Sequence, residues 1–204
     1  IVVSYNTREI TLDCLRSVLA QTRARYELIV IDNASADGSA AAIGAEFPTA
    51  LLLAETTNHG FAAANKVAAA RARGEYLLLL NPDTVILDGA IDRLLAFARA
   101  RPKARIWGGR TLFPDGSLNP TSCWRRMSLW NIFCRTSGLT VIAPGSALCN
   151  PEGYGGWDRR GERQVDIVTG CFLLIARNDW QALGGFDPAF FMYGEEADLC
   201  LRGA

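Results

Sequence analysis

The chain has 204 residues, half of them apolar, and its 21 basic residues balance 21 acidic ones to a net charge of zero. That length is enough for one substantial domain with a buried core. The even charge excludes a global field able to gather nucleic acid, so a phosphate-bearing ligand would need local devices such as loops, helix ends or a metal.

The six cysteines are scattered, with no C-x-x-C pair, and His59 is the one histidine in the chain. Soft ligands are therefore not clustered for zinc, and free thiols in a reducing cytoplasm are expected. Cys14, Cys171 and Cys200 stand among apolar neighbours and are expected in the core. No apolar run approaches the ~18 residues of a membrane span, and no signal peptide is visible. The chain starts at Ile1 inside an apolar run and ends at Ala204 inside a helix-like segment; it reads as a piece cut at both ends.

In chain order, Ile1 to Tyr5 is strand-like, and Ile10, Cys14, Leu15, Val18 and Leu19 then fall on one helical face. Tyr26 to Ile31 is a β-branched second strand, and Ser39 to Phe47 an Ala-rich helix. Ala50 to Ala54 is a third strand, followed by a helix over Phe61 to Ala72. Glu75 to Leu80 is the fourth strand and Ile91 to Ala100 the fourth helix, with Pro102 as a stop. Alternation at this spacing predicts a mostly parallel sheet covered by helices on both faces. Ligands of such sheets bind beyond the carboxyl ends of the strands, so the residues just after each strand matter most. Here they are Asn6-Thr7, Asp32-Asn33-Ala34, Thr57-Asn58-His59-Gly60-Phe61 and Asn81-Pro82-Asp83. Asp and Asn also start turns and cap helices, but four strand ends carrying such groups point to one polar edge.

The second half differs. Gly108 to Ser117 is extended, with a turn at Pro114-Asp115-Gly116, and Asn119 to Gly161 reads as irregular. Val165 to Val168 and Cys171 to Ala176 are strand candidates. A helix from Asn178 to Leu183 stops at Gly184-Gly185, and Phe186-Asp187-Pro188 leads to Glu195 and a last helix.

Seven segments in order then resemble family-two glycosyltransferases, and their rhamnosyltransferase-type members in particular. They are Ile1-Val2-Val3-Ser4-Tyr5-Asn6, Val30 to Ser39, Asn58 to Asn65, Leu80-Asn81-Pro82-Asp83, Thr169-Gly170-Cys171-Phe172, Gly184-Gly185-Phe186-Asp187 and Phe190 to Leu199. The resemblance spans the whole chain. It implies a single GT-A-type α/β domain over residues 1–204, with a nucleotide-sugar-binding half over 1–110 followed by an acceptor-binding and catalytic-base half over 111–204. It also implies a nucleoside-diphosphate-sugar donor, Mg²⁺ or Mn²⁺, hexosyl transfer with inversion, and a glycan or polyprenyl-linked acceptor in bacterial cell-wall or polysaccharide biosynthesis. Location is expected in the cytoplasm, in peripheral association with the inner face of the membrane.

The resemblance assigns roles that the chemistry explains. Asp83 would hold the cation, since Mg²⁺ takes only one or two protein carboxylates beside phosphates; relatives often carry an acid where Asn81 stands. Asp32 would accept a hydrogen bond from a pyrimidine ring or ribose hydroxyl. Ser4, Tyr5 and Asn6 would line the base pocket, and Gly60 and Asn65 would let the chain approach the donor, with the helix start near Gly60 offering amides to phosphate. Glu195, Glu196 and Asp198 would supply the general base that inverting transfer needs. Glu196 stands where relatives usually carry the basic Asp. Trp124, Trp130, Tyr154 and Trp157 are candidates for stacking on acceptor sugars, and Arg125 and Arg126 for an acceptor diphosphate. The alternative is a non-catalytic nucleotide-sugar-binding module, which Glu196 in place of Asp keeps open. A nucleotidyltransferase or a dinucleotide dehydrogenase would want a glycine-rich loop after the first strand, and Ser4 to Arg8 has no glycine.

Overall fold

The computed structural model describes all of residues 1–204. Four strands come from the first half: β1 (Val2–Ser4), β2 (Ile29–Asp32), β3 (Leu51–Ala54) and β4 (Tyr76–Leu80). They alternate with α1 (Arg8–Gln21), α2 (Ser39–Glu46), α3 (Gly60–Arg71) and α4 (Ala90–Arg99), and β5 (Ile106–Gly108) follows. The six-stranded sheet has the order β3-β2-β1-β4-β8-β5, where β8 (Phe172–Ala176) comes from the second half. β1 to β4 run parallel, with Ser4, Asp32 and Ala54 level at their carboxyl ends. β8 runs antiparallel between β4 and β5.

Strand β8 has no polar residue, and all but its last is buried. Its alternation feeds both sides of the sheet, because successive side chains on a strand point to opposite faces. Phe172 and Leu174 join Val2, Val30 and Leu80 beneath α1, α2 and α4. Leu173 and Ile175 join Leu77 and Leu79 on the other face, against Ala62, Trp180, Phe186 and Leu199. The last of these belong to α7 (Arg177–Ala182), the loop after it and α8 (Glu195–Arg202). α7 ends as its sequence predicts: Gly184 and Gly185 take positive φ, and the Gly185 amide donates to the Trp180 carbonyl at 2.8 Å.

Three expectations are corrected. In α1 the buried face is Thr11, Leu12, Cys14, Leu15 and Val18. Ile10 and Leu19 are each 51% exposed: Ile10 lies outside the buried arc, beyond Cys14, and Leu19, although within the arc, lies in the last turn of the helix. Cys171 is half-buried rather than core, since it opens the loop side of β8. The segment from Asn119 to Gly161 is not irregular throughout. It holds a 3-10 turn at Pro120–Ser122, β6 (Cys123–Trp124), α5 (Leu129–Thr136) and α6 (Leu139–Ile142). β6 pairs antiparallel with β7 (Ile167–Val168), forming a second small sheet. Ser128 caps α5 through its hydroxyl, which accepts from the Asn131 amide. That cap was readable in the sequence, but the helix is only eight residues long, too short for its period to stand out.

Truncating Leu173, which is wholly buried between the sheet and α8, should cost about 2–5 kcal/mol as Leu173→Ala. Ile10→Ser should change stability by no more than about 0.5 kcal/mol. Urea denaturation of both variants checks the pair, and equal losses would mean that the α1 face is misassigned.

Candidate functional site

The strand order reverses between β1 and β4: the chain steps outward from β1 to β2 to β3 and returns to place β4 on the other side of β1. A crevice at the carboxyl ends is the expected ligand position at such a switch. Asp32 ends β2, and Asn6, Asn33, Asn58, Asn81 and Asp83 follow strands at this edge.

Side chains stitch the loops here together. The Asn6 amide donates to Ser35 Oγ at 2.9 Å, and the Ala36 amide donates to Asn6 Oδ1 at 2.8 Å. Asn6 takes a positive φ of 53°, a conformation asparagine tolerates better than most residues. The Arg8 amide donates to Asp37 Oδ2, and Ser39 donates to the other oxygen of the same carboxylate. The Ser39 hydroxyl thereby holds the Asp37 carboxyl below its ordinary range. Ser4 is buried, its hydroxyl among those of Thr7 and Thr11, while its carbonyl accepts the Asn33 amide at 2.8 Å. Tyr5 is exposed beside it.

A second network ties β2 to the start of α3. Asn33 Nδ2 donates to Asn58 Oδ1 at 2.7 Å, while Asn33 Oδ1 accepts the His59 amide at 3.0 Å. Asn58 Oδ1 also accepts the Gly60 amide, and the Phe61 amide donates to the Phe191 carbonyl. The first amides of α3 are thus already engaged, so the expected offer of amides to phosphate at Gly60 is not available in this arrangement. Gly60 serves close approach of another kind. Its φ is +78°, and a Cβ there would lie 2.4 Å from the Phe191 carbonyl oxygen. Asn65 is buried in α3 and donates to the Phe61 carbonyl at 3.0 Å. His59 is exposed, with Glu55 at 3.4 Å. The Asn33–Asn58 pair and the Phe191 contact are the positioning features that reading along the chain missed. The adjacent Asn residues of two strand ends were their one sequence signal.

Against this engaged framework, several acceptor oxygens have no partner. Asp32 is 2% exposed; its Oδ2 accepts the Ser35 amide at 3.1 Å, and its Oδ1 has no partner. Asn81 Oδ1 is likewise buried and unpartnered, while the Asn81 amide is fixed by the Cys171 carbonyl at 3.1 Å. Buried polar atoms are nearly always bonded in folded proteins, and these two acceptors on one edge are free to accept from an N–H or O–H group.

The second half completes the edge through β8. Phe172 pairs with Leu80, which puts Thr169-Gly170-Cys171 beside Asn81. Gly170 faces Glu196, whose Cβ would lie 3.7 Å from a Cβ placed there. The Cys171 thiol is pushed up by burial, with the Asp83 and Glu196 charges adding to the rise. Glu196 Oε2 is buried without a partner. Glu195 is 4% exposed, and its Oε2 is also unpartnered. Burial pushes its carboxyl above the ordinary glutamate range, and the Glu196 charge adds to the rise. Asp198, by contrast, is occupied: its Oδ2 accepts from Arg202 at 2.6 and 2.8 Å. The carboxylate cluster therefore reduces to Glu195 and Glu196 as groups free to act.

For a divalent cation the residues fit in a restricted way. Asp83 is exposed and engaged in no ion pair, and the orphaned Asn81 Oδ1 is a second hard oxygen on the same turn. No group of three or more His, Cys, Asp or Glu side chains could hold a metal alone. This donor set suits Mg²⁺ or Mn²⁺ only if phosphate oxygens and water fill the remaining positions. A cavity of about 470 Å³ lies at the opposite edge, lined by Ile1, Val18, Tyr26, Leu28, Tyr76 and Leu95 among others. It is mainly apolar, at the amino ends of the strands, and holds none of these acceptors.

Residues 1–174 match the family described as Glycosyl transferase family 2. The chain belongs to that family. It is 31% identical over 199 residues to an N-acetylglucosaminyl-diphospho-decaprenol L-rhamnosyltransferase of Mycobacterium tuberculosis, covering 91% of this chain and 63% of that protein. It is 29% identical over 197 residues to the O-antigen biosynthesis protein RfbC of Myxococcus xanthus, covering 91% of this chain and 14% of that protein. The chain thus spans less than two thirds of these relatives. Among solved structures, a mannosyltransferase of Pyrobaculum calidifontis, in complex with GDP-Man and Mn²⁺, superimposes with a TM-score of 0.63 at 22% identity, over 97% of this chain and 48% of that one. S. aureus TarS 1-349 in complex with UDP gives 0.65 at 18% identity, over 98% and 52%. The fold is of the GT-A type, as the resemblance implied.

The buried Glu195 carboxyl gives this family member a pH signature. A raised folded-state pKa means that the folded chain holds the proton more tightly than the unfolded one. The stability tied to that proton is fully present below the unfolded value, near 4.5, and is lost as pH rises through the folded value. Glu195→Gln should therefore raise the melting temperature at pH 7 and bring no gain at about pH 4. Melts at both pH values check this, and a gain independent of pH would show that burial of the charge is not its source.

Proposed function

We propose that the chain is the catalytic core of an inverting, metal-assisted glycosyltransferase. It would move a sugar from a nucleoside-diphosphate-sugar to a hydroxyl of a glycan or lipid-linked acceptor, with rhamnose the first sugar to test. The single observation that carries the donor side is the orphaned Oδ1 of Asp32, buried at the switch edge of a GT-A fold. An ionised carboxylate accepts hydrogen bonds only, so it selects an N–H or O–H of the nucleoside. The relatives' names support rhamnose and a lipid diphosphate acceptor, and the neighbours solved with GDP-Man and UDP support a nucleotide donor.

In the reaction, the acceptor oxygen forms its bond to the anomeric carbon as the bond from that carbon to the diphosphate oxygen breaks. The electron pair leaves with the diphosphate, and attack from the opposite face inverts the centre. Glu196 takes the acceptor proton; its side chain lies beside Gly170, where an added Cβ would meet Glu196 Cβ at 3.7 Å. Glu195, one residue earlier, points about 100° away on the same helix, and Asp198 is tied to Arg202. A divalent cation on Asp83 and Asn81 would offset charge on the leaving diphosphate. Tyr5 and Asn6 would border the base.

Donor binding is tested by calorimetry with a panel of nucleoside diphosphates and their sugars. Asp32→Ala should weaken the free nucleoside diphosphate by about 1.5–3 kcal/mol, with or without metal. Asp83→Asn should abolish the part of the affinity that excess chelator removes from the wild type. Unchanged affinity in a folded Asp32→Ala variant overturns the nucleoside assignment, and chelator-insensitive donor binding by the wild type overturns the metal.

The base is tested in the full-length enzyme by single-turnover transfer at saturating donor. Glu196→Gln should slow transfer by ~10²–10⁴-fold with donor affinity kept, while Glu196→Asp stays active. Glu195→Gln should do less damage. If Glu195→Gln is the inactive variant, the register is off by one; wild-type donor binding with no turnover across the panel would favour a binding module instead.

A further inference from the structure

Helix α5 is inside out. At about 100° per residue, Leu129, Phe133, Trp130 and Ile132 form one apolar wedge, yet all four are exposed, Leu129 at 87%. The residues turned to the protein are Asn131 and Cys134. That inward polar face is well satisfied: Asn131 Nδ2 donates to the Arg126 carbonyl at 3.1 Å, and its amide to the Ser128 hydroxyl. α6 continues the surface with Val141 and Ile142, exposed at 81% and 78%. Trp130 Nε1 donates to the Leu148 carbonyl at 2.9 Å, closing the following loop back on α5. A helix held by its polar face with its apolar face outward is an exposed patch that needs a partner.

Charge identifies the partner. Between Asp115 and Glu152 the sequence has no acidic residue, whereas it holds Arg125, Arg126 and Arg135. Arg125 and Arg163 both lie over the Tyr154 ring, at 5.2 and 4.5 Å. Arg125, Arg126 and Arg163 form no ion pair with any carboxylate. Asp166, which accepts from the Arg126 amide, and Glu152, which pairs with Arg135, lie in the same region, but the guanidinium groups of Arg125, Arg126 and Arg163 are left without a carboxylate beside the apolar surface. A second copy of the chain would cover the wedge by a two-fold contact, and that occupant is an outcome of the test below. An anionic lipid surface meets both halves at once, acyl chains for the wedge and phosphates for the guanidinium groups.

We infer that α5 and α6 form a docking surface for an anionic lipid bilayer, with α5 lying in the interface plane on its Leu129–Phe133 side. Arg126 sits at the amino end of α5, and β6, just before Arg125, pairs with the β7 strand that leads to Gly170 and Glu196. Docking would hold the acceptor half of the edge against the lipid. For its purpose this rests on the lipid-linked acceptor proposed above, but vesicle binding is read without donor or acceptor.

The experiment is co-sedimentation of the protein with vesicles of phosphatidylcholine, with and without phosphatidylglycerol. Binding should require phosphatidylglycerol and weaken at high salt. Leu129→Ser combined with Phe133→Ser should reduce partitioning at least about tenfold, since each side chain loses its apolar transfer, while calorimetric donor affinity stays unchanged. Quenching of wild-type tryptophan fluorescence by brominated phosphatidylglycerol reads the same contact without a substitution, should the double variant fail to fold. No sedimentation with either vesicle, or equal binding to both at any salt, overturns the inference. So does a dimer in light scattering that the double variant dissolves. Any of these would leave the donor reading intact.

Discussion

Strand β8 is the constraint on which the site depends. It is the one strand of the main sheet that comes from the second half of the chain, and it enters antiparallel between β4 and β5. Being apolar on both faces, it is stable only with sheet neighbours on each side and helices above and below. Burying Phe172 and Leu174 with one helical layer and Leu173 and Ile175 with the other fixes its register. That register sets the loop before β8 against Asn81, and through Gly170 it sets Glu196 against the same edge. A slip of one residue would turn each side chain to the wrong face and carry the carboxylate away with it.

The edge combines bonded backbone amides with unbonded side-chain acceptors. Backbone amides of the loops after β1, β2 and β3 are taken by Asn6, Asn33, Asn58, Ser35 and Asp37. Those bonds fix loops that carry positive-φ positions, unfavourable at Asn6 and Ala34 and free of penalty at Gly60. Inside that rigid frame Asp32 Oδ1, Asn81 Oδ1, Glu195 Oε2 and Glu196 Oε2 have no partner. An unbonded buried acceptor typically costs ~1–3 kcal/mol. Glu195 turns away from Glu196 on the helix, so Asp32, Asn81 and Glu196 are the three whose free oxygens belong to the candidate site.

The apolar second-half helices follow a different logic from the core. α1 and α4 bury their apolar faces on the sheet, whereas α5 exposes its own and anchors by Asn131. Composition alone did not separate these cases, because an amphipathic pattern states that a face is apolar and not which way it turns. For the same reason Ile10 and Leu19 read as core from periodicity, though both are half exposed.

Much was determined by the sequence itself. Strand and helix alternation to Arg99 is local, set by β-branched runs, Ala-rich helices and punctuation, so every element there was legible to within a few residues. The polar strand ends Asn6, Asp32, Asn58, Asn81 and Asp83 followed from it, because parallel topology forces carboxyl ends to one edge. Only the tertiary structure decided that Asn33 and Asn58 bond to each other, that Phe191 covers Gly60, that Asp198 is spent on Arg202, and that Glu196 meets Gly170. These contacts join residues distant in sequence and depend on the depth at which β8 and α8 pack, a quantity that no local pattern encodes.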